Sequence, residues 1–130
     1  MYQNTVSNTL AAYRIFVADE AGEELEPAAT ICEHVLRERV HQLKKWGKQL
    51  DRTQFEWAVI EMEELGEVAR EIFDITLANP EEAPDPEQYN DLRSEWVQVA
   101  AVAIAAIEAL DNLCDGRVPG YGEVVRTEET

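Results

Sequence analysis

A chain of 130 residues with 45% hydrophobic content is one domain's worth of sequence, with enough apolar mass for a core. Its formal charge of −16 argues against nucleic acid or an anionic membrane as a partner, because both demand a basic footprint. Cys32 and Cys114 are too few and too far apart for a disulfide framework or a zinc site, which predicts reduced, packed thiols in a cytoplasmic protein.

In chain order, residues 1–28 form an extension or arm, with Leu10 to Ala18 readable as a helix or a strand and Gly22 and Pro27 marking a break. No basic segment followed by an apolar run opens the chain, so no signal peptide is expected. A first helix is predicted from Pro27 to about Lys45, with Ile31, Val35, Leu36, Val40 and Leu43 as its apolar stripe and Gly47 as its stop. The loop Trp46 to Arg52 follows. Asp51 or Thr53 caps a second helix, with Glu56 placed as in a capping box, and Asn79-Pro80 ends it after about Ala78. Residues 80–87 hold three of the five prolines and read as an exposed linker. A third helix runs from Pro86 or Glu87 to Cys114, with Gly116 beyond it. Its alanine-rich second half implies close helix contacts on more than one side. Its longest apolar run, Val97 to Ile107, is too short to span a membrane. Residues 29–115 thus read as an all-α domain and 116–130 as a mobile tail. Three long helices leave a four-helix bundle open, so oligomerisation, as a homodimer or homotetramer, is expected to complete it.

Glutamate is a good helix former and is usually just solvated. Two stretches here argue otherwise. Steps of roughly 100° per residue place Trp57, Ile60, Glu64, Glu67 and Glu71 on one face of the second helix, with Leu65, Val68, Ala69, Ile72 and Phe73 beside it. Glu61 and Glu63 fall to the edges. On the third helix, Glu95 and Gln98 lie among Val99, Val102, Ala106, Ala109 and Leu113. Carboxylates buried there without partners are costly, and a hard divalent cation would remove the cost. Mg²⁺ is expected, with Mn²⁺ an alternative. Di-iron bundles use Glu-x-x-His, and neither carboxylate-bearing helix has a histidine. His34 and His41 share a face of the first helix and suit a surface or subunit contact. Six of the eleven basic residues fall between Arg37 and Arg52, either as helical ion pairs or as a polyphosphate site led by Lys48 and Arg52. Trp46 either stacks on a planar ring or plugs the bundle end.

The pattern Glu64-x-x-Glu67, a gap of 27 residues, then Glu95-x-x-Gln98 resembles the Glu-x-x-Glu … Glu-x-x-Asp signature of the MazG-like all-α nucleoside triphosphate pyrophosphohydrolases. Glu63-Glu64-Leu65-Gly66-Glu67-Val68-Ala69 is close to that family's wording, and residues 37–49 resemble a segment that precedes the motif in bacterial and phage members. The resemblance covers residues 30–114. It implies hydrolysis of a nucleoside triphosphate, often a deoxynucleotide, to the monophosphate and pyrophosphate. Glu64, Glu67 and Glu95 would be catalytic metal ligands, with Gln98 completing the set. Trp46, Lys48, Gln49 and Arg52 would bind substrate, and Glu63 or Glu71 would handle the attacking water. Gln98 departs from the signature's aspartate. An amide carbonyl ligates Mg²⁺ without supplying charge or basicity, so the alternative is a non-catalytic nucleotide- or protein-binding module.

Overall fold

Three helices follow one another in the computed structural model, which describes residues 26–77 and 85–114, the pairs 117–118 and 122–123, and single positions 11, 81 and 83. The first is α1 (Glu26–Trp46), the second α2 (Gln54–Thr76) and the third α3 (Pro86–Leu113). The expected arm over residues 1–28 lies almost wholly outside the described residues. Trp46, read as a loop residue, is the last residue of α1. Gly47 stops that helix with φ of 73°, a left-handed conformation that glycine adopts without penalty, and its N–H reaches the Leu43 carbonyl at 2.9 Å.

Both later helices begin with reciprocal caps. Thr53 Oγ1 accepts from the Glu56 N–H at 3.1 Å while Glu56 Oε1 accepts from the Thr53 N–H at 3.3 Å, as the sequence predicts. At α3 the cap is Asp85, paired with Gln88 and followed by Pro86 at the first turn. That signal was present in Asp-Pro-Glu-Gln and lay inside the segment read as linker.

α3 is the central helix. α2 and α1 each pack on it and make at most marginal contact with each other. The alanines explain how one helix serves two neighbours: Ala101, Ala105 and Ala109 are buried and let the backbones approach. Trp57 fills the α2–α3 junction against Val102, Ala105 and Ala109, with Ile60 and Ala106 at its margin. Gln54 Nε2 donates to the Ala106 carbonyl at 3.2 Å and ties the start of α2 to α3. On α1 the tie is electrostatic. Arg39, only 5% exposed, donates from Nη2 to Glu108 Oε2 of α3 at 2.9 Å. Arg93 Nη2 donates to His34 Nδ1 at 2.9 Å, which gives His34 a helix–helix role within the chain.

Several expectations are corrected. The buried face of α1 carries Ala29, Val35, Arg39 and Gln42, and Ile31 lies outside it. On α2 the inward seam is Trp57, Glu61, Glu64, Val68, Glu71 and Ile75, spaced by alternating steps of four and three. Of the predicted apolar stripe only Val68 is buried; Leu65, Ala69, Ile72 and Phe73 are exposed. Leu113 is exposed as well, and so are both thiols. By length and composition alone α3 could cross a bilayer, its most apolar window having a mean hydropathy of 1.4, because the helix extends well beyond the Val97–Ile107 run. In the tail, Arg117–Val118 (β1) pairs antiparallel with Gly122–Glu123 (β2), a minimal ladder where an irregular tail was expected.

Candidate metal and nucleotide site

The α2 seam that meets α3 is apolar at its ends and acidic in its middle. Glu61, Glu64 and Glu71 are half-buried on it, and Glu95 and Gln98 are half-buried on the facing side of α3. Burial, followed by the charges of Glu95, Glu67, Glu38 and Glu63, pushes the Glu64 carboxyl above its ordinary value. Burial, then Glu67, Glu71 and Asp91, does the same to Glu95. Carboxylates from all three helices therefore act on one another across the packed interface. Glu64 and Glu67 on α2 and Glu95 on α3 thus lie within electrostatic reach of one another.

Two details differ from expectation. Glu67 is exposed, at the rim of the cluster. Glu61, read as an edge residue, lies on the inward seam. Its Oε2 is buried with no hydrogen-bond partner among the described residues, and burial followed by Glu64 raises its carboxyl. The seam spacing 57-61-64-68 would have found it, had the origin been set on Trp57.

The donor set suits a hard cation. It is all oxygen, its carboxylates repel one another, and beside it Glu61 carries a buried oxygen lacking a donor among the described residues. Among the described residues, no three acidic, His or Cys side chains stand close enough together to hold a metal ion.

Beside the cluster lies a cleft of about 320 Å³. α1 contributes Glu38, Arg39, Gln42 and Trp46, and the loop contributes Gly47, Gln49 and Arg52. α2 adds Trp57, Ile60 and Glu64, and α3 adds Gln98 and Val102. Glu64 and Gln98 therefore face both the acid cluster and the cleft. Of the expected substrate residues, Trp46, Gln49 and Arg52 line the cleft, while Lys48 is exposed in the loop outside its lining.

Local structure fixes several of these groups. Trp46 is 55% exposed, with Lys45 Nζ 4.4 Å from its ring centroid, so it forms an open wall of the cleft. Gln49 holds φ of 51°, a left-handed backbone that costs a non-glycine residue about 1–2 kcal/mol. That conformation is held by Arg52, whose N–H donates to the Gln49 carbonyl at 3.3 Å and whose Nε donates to Gln49 Oε1 at 3.2 Å. Arg52 also pairs with Glu56 at 3.5 Å and lies 5.9 Å from the Trp57 ring centroid. The basic cluster thus divides: Arg37 makes a surface pair with Glu33, Arg39 is buried, and Arg52 stands at the cleft.

No family model, curated protein or solved structure matches this chain.

Proposed function

We propose that this protein is a Mg²⁺-dependent nucleoside triphosphate pyrophosphohydrolase of the MazG-like all-α type, releasing a monophosphate, with a deoxynucleotide as expected substrate, and pyrophosphate. The observation that carries the reading is the set of mutually repelling carboxylates on α2 and α3, half-buried beside a cleft walled by tryptophan and arginine. The wording of residues 63–69 and the Glu95-x-x-Gln98 repeat support it.

Glu64, Glu67 and Glu95 would hold Mg²⁺ with the Gln98 carbonyl. When bound, the ion supplies charge neutralisation at the phosphates and lowers the pKa of a coordinated water. The remaining tasks fall to the chain. Arg52 meets phosphate charge at the cleft mouth and Lys48 adds positive potential from the loop. Trp46 offers a flat surface to the base, and Gln49 offers amide hydrogen bonds. Water attacks the α-phosphorus, the bond to the bridging oxygen breaks, and pyrophosphate leaves. The water's proton passes to a carboxylate outside the ligand set, Glu61 or Glu71.

The exposed face of α2 supports self-association. Phe55, Val59, Met62, Gly66, Ala69 and Phe73 follow one another by steps of four and three, and all are exposed. A second copy laid on this seam would complete a four-helix bundle.

One observation favours a second reading. Gln98, where the signature has a carboxylate, lines the cleft, and an amide neither charges nor accepts a proton at neutral pH. Nucleotide binding without turnover is the alternative. Pyrophosphate release from common and modified triphosphates, with and without Mg²⁺, decides between them. Release that needs Mg²⁺ and is lost in Glu67→Gln supports the hydrolase. Binding without release supports the alternative.

A further inference from the structure

The acid cluster serves the metal and the phosphates, and it leaves the floor of the cleft unexplained. Two buried side chains there carry N–H groups with no partner among the described residues: Arg39 at Nε and Trp57 at Nε1. These residues are 5% and 6% exposed. A buried donor left unmade forfeits its hydration with nothing in return, so few native donors stay that way without a reason. Here the two residues that carry such donors, from α1 and α2, line one cleft. Neither can change role, since guanidinium and indole N–H groups only donate. The rest of Arg39 is engaged, Nη2 with Glu108 at 2.9 Å and Nη1 with Gln42 Oε1 at 3.4 Å.

The missing element is an acceptor, and the charges say which kind. Glu108 already balances Arg39, and Glu38 and Glu64 line the same cleft, so an anionic group set beside Arg39, away from Arg52, would be repelled. A neutral acceptor suits the site. The open Trp46 ring and the modest volume suit a flat ligand. We infer that the cleft floor is a subsite for a planar heterocycle bearing a ring carbonyl, bound through Arg39 Nε–H and Trp57 Nε1–H. Among nucleobases this admits the oxo-bases and disfavours adenine, which presents an amino donor where hypoxanthine presents a carbonyl. The inference deepens the hydrolase reading and rests on it for placing a nucleotide in this cleft.

The test is calorimetric binding of deoxyinosine and deoxyadenosine monophosphates to the full chain, in EDTA and in Mg²⁺. The deoxyinosine nucleotide is expected to bind tighter by about tenfold or more. Trp57→Phe keeps an aromatic ring and removes the N–H; Arg39→Lys keeps a cation near Glu108 and removes Nε–H. Each should bring the ratio toward one by weakening only the oxo-base nucleotide. Equal binding, preference for adenine, no binding of either, or an unchanged ratio in both folded variants overturns the subsite. If neither variant folds, the wild-type ratio decides alone. Pyrophosphate release without base preference would keep the hydrolase and remove the subsite. Base preference without release would do the reverse.

Discussion

Glu108→Ala isolates the joint between α1 and α3. The substitution deletes the carboxylate that meets Arg39 at 2.9 Å and leaves a guanidinium whose side chain is 6% exposed. Gln42 remains as a long contact at 3.4 Å, and Nε has no partner among the described residues. Removing one member of a buried ion pair costs about 3–5 kcal/mol. The Glu108 side chain is 41% exposed, so water replaces part of what is lost and the cost falls below that range, to about 2–3 kcal/mol. For a chain of this size that is a Tm fall on the order of 8–12 °C. Urea denaturation at fixed protein concentration gives the value. The double variant Arg39→Met/Glu108→Leu, which replaces the pair by apolar contact, should return to within about 1 kcal/mol of wild type. A Glu108→Ala loss below about 0.5 kcal/mol, as for a surface pair, would refute the buried-joint account.

The metal-free protein should lose stability as pH rises. Glu61, Glu64 and Glu95 are all raised in the folded chain, so folding takes up protons just above the ordinary carboxylate value, and their contribution is lost as pH passes through the raised values. Melts in EDTA should show this slope, and it should flatten when all three are changed to Gln. An unchanged slope would mean that the three groups are ordinary. Gly66 tests the α2 seam: an added Cβ meets nothing within 4 Å in the single chain, so Gly66→Leu should leave the monomer folded and weaken self-association at least about tenfold by sedimentation. Wild-type association would move the contact elsewhere.

The helix boundaries and the Thr53 cap were legible because they rest on local chemistry that two or three neighbouring residues decide. The acid cluster was legible in part: helical arithmetic from Glu64 brought Trp57, Ile60, Glu67 and Glu71 to its face, and all but the exposed Glu67 are buried or half-buried. The apolar stripe misled because α2 has two apolar faces. Periodicity finds both, and only packing selects the one carrying Trp57, Val68 and Ile75. Arg39 was hidden for a related reason. A charged residue in a basic run reads as surface, and its partner Glu108 lies 69 residues away.

The central claim is that the α2–α3 carboxylates form a cation site, and a Mg²⁺ titration followed by thermal melting tests it most directly. At ionic strength matched with Na⁺, wild type should gain stability with Mg²⁺ in a saturable manner. Glu95→Gln, relieved of repulsion from Glu67 and Glu71, should melt higher without metal and gain little with it. Equal gains in both proteins, or no gain in either, would contradict the account.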